Sequence, residues 1–244
     1  MSGHSKWSQI KRQKGAADVK RGQLFSKLTL PIILTAKNGG DPESNFSLKM
    51  AIERARSANM PKENIERAIK RGTGEAGGTQ IEEVQYEAIG PGGISIIIEA
   101  ATDNKNRTAG SIKNVLTKFG GKLTGAGAAT YLFARMGKLI VETQGVDKEE
   151  IEMAVLESGA EDFEEVADEI AVYTLPRELE QVKKALESSG VKSREAVLSW
   201  EPKTTVKISD RGASQKILEL MDALDDLEDV SAVYSNFDIS EELI

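Results

Sequence analysis

The sequence predicts an α+β protein of three domains. An N-terminal helical domain covers 1–78, and two α/β sandwich domains follow. One is discontinuous, built from 79–134 and 204–244; the other, over 135–203, is ferredoxin-like and inserted into it. Three observations carry this expectation. Apolar residues recur with helical spacing up to about residue 72 and alternate with period two from residue 84. A Gly- and Thr-rich stretch, 72–80, separates the two regimes. Residues 137–201 read strand, helix, strand, strand, helix, strand, the ferredoxin-like order. The tail after 204 is too short to bury its own apolar faces, so it should complete the sheet begun at 81–133.

The elements follow in order. Leu24, Leu28 and Ile32 lie four residues apart and mark one face of a first helix. Pro31 interrupts it, which predicts a kink or a fresh start near Thr29. Asn38-Gly39-Gly40 stops that helix, and Asp41-Pro42 opens a second with Asp41 as N-cap. Its stripe is Leu48, Ile52 and Ala55. Pro61 starts a third helix, with Ile65, Ala68 and Ile69 inward and Gly72 at its end. Val84, Tyr86 and Ala88 alternate as a strand, and Gly90-Pro91-Gly92-Gly93 turns the chain. In 94–101, Ile94, Ile96 and Ile98 share one face and Ile97 takes the other, as in a central strand. A helix over 106–119 carries Ile112, Val115, Leu116 and Phe119, and 130–133 reads as a strand. In the inserted segment, strands fall at 138–142, 162–165, 170–175 and 196–200, with helices at 147–158 and 176–188. The tail reads as a strand at 205–208, a helix at 212–227 and a strand at 230–237.

Composition narrows the chemistry. The 244 residues include no Cys and one His, His4. That removes disulfides, Fe–S clusters, Cys-based zinc sites and any His-clustered metal centre within one chain. No metal and no cofactor are expected. A catalytic triad would have to use His4, which sits in a Gly-His-Ser context with no visible orienting partner. Acidic residues crowd 147–169 and 219–229 without a ligand spacing, so solvated faces explain them better than acid–base work. The expectation is a protein that is not an enzyme. The basic N-terminus leads into no apolar h-region, and the longest apolar stretch, 28–36, is far short of a membrane span of roughly 20 residues. A soluble, cytoplasmic protein with no membrane partner and no small-molecule substrate is expected.

The net charge of −7 is unevenly spread. Residues 1–80 hold 15 Lys/Arg against 7 Asp/Glu, a net +8, whereas 81–244 hold 17 against 32, a net −15. The first 27 residues contain Lys6, Lys11, Arg12, Lys14, Lys20, Arg21 and Lys27 against the single acid Asp18. Such an arm binds a polyanion by counterion release, and Trp7 among the cations can stack on a base. The alternative is a solvated terminus; the charge density favours binding. On the third helix, Lys62, Arg67, Lys70 and Arg71 are largely accounted for by helix pairing with Glu63 and Glu66 and by the dipole. At 103–108, Asp-Asn-Lys-Asn-Arg-Thr joins a strand to a helix, where free N–H groups with Lys105 and Arg107 could hold an anion. An Asn-capped turn with exposed bases explains it equally well. No GxxxxGK[ST] loop occurs, and the glycines of 120–127 lack the spacing of a nucleotide site.

Several segments together resemble the YebC family. They are Gly3-His4-Ser5-Lys6-Trp7, Asp18-Val19-Lys20-Arg21-Gly22, Phe25-Ser26-Lys27-Leu28, the run from Asn59 to Gly72, Tyr86-Glu87 with Gly90-Pro91-Gly92-Gly93, Thr102 to Thr108, and Val233-Tyr234-Ser235-Asn236-Phe237. The resemblance runs from end to end and implies the same three-domain arrangement. It also implies a nucleic-acid-binding regulator of gene expression, conventionally a probable DNA-binding transcriptional regulator of the bacterial cytoplasm. Relatives described as translational activators, and bacterial members linked to the ribosome and to relief of stalling, imply the alternative: a translation factor contacting rRNA. Leu30-Pro31 departs from the charged residues usual there and puts the continuity of the first helix in question.

Overall fold

The computed structural model describes residues 18–77, 80–143, 148–166 and 169–240. These residues divide into two compact units, one of 133–201 and one of the chain on both sides of it.

The larger unit starts with three helices: α1 (Asp18–Ala36), α2 (Phe46–Ser57) and α3 (Lys62–Gly72). The expected stripes form their core. Leu28, Ile32, Leu48, Ile52, Ala55, Ile65 and Ala68 are all buried, joined by Ile33 and Ala36. Leu24 is the exception and stays exposed, a turn beyond the packed region. α1 runs unbroken through Pro31, so the fresh start expected near Thr29 does not occur. The proline removes one backbone donor, and burial of Leu28, Ile32 and Ile33 on both sides of it supports the helix. Thr29 and Thr35 add hydroxyl hydrogen bonds to the carbonyls of Phe25 and Pro31, both at 2.7 Å.

The N-cap of α2 is also a correction. Asn45, not Asp41, caps it, accepting from the Leu48 N–H at 3.0 Å. Asp41 instead closes a separate turn by accepting from the Glu43 N–H. Asn45 wins because its amide nitrogen also donates to the carbonyls of Thr35 and Gly39, tying α2 to the end of α1. At the end of α3, a Cβ on Gly72 would lie 2.5 Å from the Ile33 carbonyl oxygen and 2.6 Å from the Ala36 Cβ. The two backbones touch there. Gly72→Ala should force α1 and α3 apart and cost about 2–3 kcal/mol, measured by chemical denaturation.

The chain then enters a four-stranded antiparallel sheet. Its strands are β1 (Glu82–Ile89), β2 (Ser95–Thr102), β3 (Lys122–Thr124) and, from the tail, β9 (Val230–Ser235), in the order β3-β1-β2-β9. β2 is interior, and Ile94, Ile96, Ile97 and Ile98 are fully buried, as expected of a strand covered on both faces. Gly92 and Gly93 take positive φ in the β1–β2 turn, which a side chain would strain. Two helices, α4 (Lys105–Lys118) and α7 (Arg211–Asp225), cover one face. Their Ile112, Leu116, Ile217, Leu220, Met221 and Leu224 meet Ile96, Ile98 and Val233 in one core. Ile81 and Ala101 belong instead to the core of α1–α3. The tail does complete the sheet, yet its last strand breaks at Asn236. Phe237–Ile239, β10, leaves β9 to pair in parallel with β8 (Val206–Ile208) in a sheet of two. Asn236 makes the break by accepting the Ser95 N–H on its side-chain oxygen at 2.8 Å.

The smaller unit contains β4 (Phe133–Glu142), α5 (Lys148–Glu157), β5 (Asp162–Val166), β6 (Glu169–Thr174), α6 (Leu179–Ser188) and β7 (Ser193–Pro202). The strand order is β5-β6-β4-β7. The strand expected at 130–133 is a correction: Thr130–Leu132 is a 3₁₀ turn, and the strand begins at Phe133 and runs unbroken into the one expected at 138–142.

Candidate nucleic-acid interface

The basic stretch places its residues unevenly. Lys6, Trp7, Lys11, Arg12 and Lys14 lie outside the described residues, as does His4. Lys20 and Arg21 fall on the first turn of α1. Lys27, two turns on, points into the protein. Its ammonium pairs with Asp225 of α7 at 3.3 Å, and the two side chains are only 16% and 11% exposed.

The α2–α3 pair presents cations, of which the sequence reading passed over those of α2 and assigned those of α3 largely to pairing with Glu63 and Glu66. The ion pair formed on α3 is instead Lys62 with Glu66, at 3.5 Å. Lys49, Arg54 and Arg56 are exposed on α2, and Lys62, Arg67, Lys70 and Arg71 on α3. No ion pair among the described residues engages Lys49, Arg56, Arg67, Lys70 or Arg71. The signal was in the sequence. On α2, the bases occupy the positions left between the buried Leu48, Ile52 and Ala55, seven apart at Lys49 and Arg56.

The 102–108 turn folds as an Asn-capped helix start wrapped in a hydrogen-bond network. The Asn104 side chain accepts from the Arg107 N–H at 3.1 Å, and the Asn104 N–H donates to the Thr102 hydroxyl at 2.9 Å. Thr108 donates to Asp229 at 2.7 Å. Arg107 uses one terminal nitrogen, Nη2, for both carboxylate oxygens of Asp229 at 3.0 and 3.1 Å and for Asp103 at 3.0 Å. Hydrogen bonding to Asp229 raises the pKa of the guanidinium. Lys105 pairs with Glu82 of β1, and that hydrogen bond holds the Glu82 carboxyl below the usual range. Both bases therefore spend charge on carboxylates, while about half of each side chain stays exposed. Tyr86 closes the turn by donating to the Lys105 carbonyl at 3.0 Å.

A shallow cavity of about 360 Å³ opens here, lined by Gln80, Glu82 and residues 102–106. A second, of about 410 Å³, shares Gln80 and reaches Lys37 and Arg71 at the ends of α1 and α3. Charges of both signs line the first, so it is no simple anion cup. Among the described residues, no group of three or more His, Asp or Glu could hold a metal ion, and no helix is long and apolar enough to cross a membrane.

The turn at 127–130 is tied down by a single side chain. The buried Glu87 carboxylate accepts the N–H groups of Gly127 at 2.7 Å, of Ala129, and of Thr130 at 2.9 Å, and the Thr130 hydroxyl at 2.6 Å. Sequence reading missed this anchor, because Glu87 sits in a strand where alternation alone would leave it solvated.

Comparison with known proteins joins these features to a family. Residues 5–75 match the TACO1/YebC protein N-terminal domain, and 81–237 match the TACO1/YebC second and third domain. A protein of Caldanaerobacter subterraneus named "probable transcriptional regulatory protein" is 48% identical over 99% of this chain and 100% of its own length. One of the same description from Dictyoglomus turgidum is 48% identical over 100% and 98%. The crystal structure of a conserved hypothetical protein of Aquifex aeolicus is similar at a TM-score of 0.86, with 46% identity, covering 92% of this chain and 93% of that one. With both parts of the family pattern matched and relatives nearly half identical along the full length, the chain belongs to the TACO1/YebC family.

Proposed function

We propose that the protein is a cytoplasmic, nucleic-acid-binding regulator of gene expression whose basic helical head grips the phosphate backbone. The carrying observation is the set of exposed cations on α2 and α3, unpaired among the described residues at Lys49, Arg56, Arg67, Lys70 and Arg71, in the same part of the sequence as the basic first 27 residues. The relatives' shared description as probable transcriptional regulators supports DNA as the ligand. In this reading Lys6, Lys11, Arg12, Lys14, Lys20 and Arg21 contact phosphates and Trp7 stacks on a base. Lys27, Lys105 and Arg107 contribute less, because each is held by a carboxylate. The proposal keeps the three-domain division, with a ferredoxin-like insertion. The strand order of the smaller unit and the family's separate N-terminal, second and third domains support it.

One observation favours rRNA and a role in translation. The charge is segregated, +8 in 1–80 and −15 beyond. A duplex alone rewards only the basic part, whereas a mixed surface of RNA and protein suits both. Salt titration distinguishes the readings. Neutralising Lys11, Arg12, Lys14, Lys20 and Arg21 together should lower the magnitude of the log–log salt slope by about 4.5 units on duplex DNA, or about 3.5 on single-stranded RNA. A site-specific regulator must also bind one duplex sequence at least ~10³-fold more tightly than scrambled DNA. Equal affinity for all duplexes, together with salt-sensitive co-sedimentation with ribosomes, would move the assignment to translation. An unchanged slope on every nucleic acid would end both readings.

A further inference from the structure

We propose that the exposed face of α5 is a docking surface for a basic, amphipathic protein segment. This goes beyond the nucleic-acid reading and does not depend on it. α5 buries Ile151, Ala154 and Val155 on one side. On the opposite side Met153 and Leu156 are 59% and 66% exposed. Scattered exposed apolar residues are ordinary. These two are three apart and therefore adjacent on one helix face, and a methionine adapts its shape to an incoming side chain.

The rim specifies the partner. Glu149, Glu150 and Glu157 are exposed around the apolar pair, one turn to either side. Glu149 and Glu150 suit the helix N-terminus by the dipole, but Glu157 sits at the opposite end, where the dipole disfavours it. The helix's one cation, Lys148, turns away to Glu165 of the edge strand β5 at 3.0 Å. Asp162 and Glu165 keep that edge acidic. Over 134–203 the chain holds 17 Asp/Glu against 9 Lys/Arg. Nucleic acid is repelled by such a rim. A second copy of the same face would bring like charges together. A helix or strap carrying Lys/Arg beside Leu or Met satisfies both the anchors and the rim.

The test uses the full chain and a synthetic 18-residue peptide of Leu and Lys with helical spacing, followed by fluorescence anisotropy. A peptide of the same composition without an apolar face is the control. The amphipathic peptide should bind about tenfold more tightly than the control. Met153→Ser with Leu156→Ser should erase that difference, while leaving the thermal midpoint and the affinity for nucleic acid unchanged. Glu150→Gln with Glu157→Gln should flatten the salt dependence. Hydrogen exchange of the unmutated chain should show peptide-dependent protection at 148–157, a readout that needs no variant to fold. Equal binding of both peptides, protection elsewhere, or a double serine variant that binds as well as the parent would overturn the proposal. So would concentration-dependent dimerisation that the serine variant abolishes, which would make a second copy the occupant.

Discussion

Glu87→Ala should destabilise the larger unit by about 4 kcal/mol, among the largest single-site effects in the molecule. The carboxylate is 5% exposed and accepts three backbone N–H groups and one hydroxyl from the 127–130 turn. Alanine strands the buried N–H of Ala129 outright and leaves the part-buried N–H groups of Gly127 and Thr130 to water alone. At roughly 1–3 kcal/mol per buried unsatisfied donor, partial rehydration still leaves the stated loss. Glu87→Gln separates shape from charge. Its amide nitrogen must face an N–H group whichever way it turns, so about 2 kcal/mol should be lost even though the volume is kept. The thermal midpoint should fall by about 10 °C for alanine, at 2–4 °C per kcal/mol for a chain of this size.

The same carboxylate gives the stability a pH signature. Burial raises its pKa, but the hydrogen bonds from Thr130, Ala129 and Gly127 outweigh burial and leave it below the ordinary value. A group with a depressed folded pKa stabilises fully above its unfolded pKa of about 4.3 and loses that contribution as pH falls through the folded value. The wild type should therefore lose stability below about pH 4.5 more steeply than Glu87→Gln, in urea titrations at pH 3–7. Parallel pH curves for the two proteins would contradict this account of the turn.

What the sequence could convey depended on how local the physics was. The stripes of α2 and α3, the central position of β2 and the β-α-β-β-α-β rhythm of 137–201 follow from periodicity, which each segment carries by itself. Pro31 does not restart the helix, because its penalty is local, whereas the packing of Ile32 and Ile33 that offsets it is not. Asn45 displaced Asp41 for a related reason: its advantage is a pair of hydrogen bonds back to 35 and 39. At Asn236 the strand breaks through a contact 141 residues away in sequence. The candidate site divides along the same line. That the head is basic can be counted in the sequence. That Lys27 turns inward to Asp225, and that Arg107 is shared between Asp103 and Asp229, depends on tertiary neighbours.

The Lys27–Asp225 pair supplies the second large effect, and its sign depends on how it is broken. Both side chains are mostly withdrawn from water, and the pair links the basic helix α1 to α7. Asp225→Ala removes a carboxylate from beside a largely desolvated ammonium and should cost about 3 kcal/mol. Lys27→Met leaves the carboxylate and should cost a similar amount, about 3 kcal/mol or more. Replacing both, Lys27→Met with Asp225→Leu, removes two desolvation penalties along with their mutual attraction. The double variant should sit within about 1 kcal/mol of the wild type, so the coupling in the double-mutant cycle should exceed ~3 kcal/mol. Additive losses would mean that the pair is solvated and contributes no more than a surface bridge, about 0–1 kcal/mol. The cycle also isolates a contribution to binding, because the double substitution leaves net charge unchanged and α1 docked. If Lys27 acts through Asp225 and not on phosphate, this variant should bind nucleic acid with the wild-type salt slope. Neutralising Lys20 or Arg21 on the same helix should each lower the magnitude of the slope by about 0.9. A double variant that also loses about 0.9 would instead place Lys27 among the residues that touch the backbone.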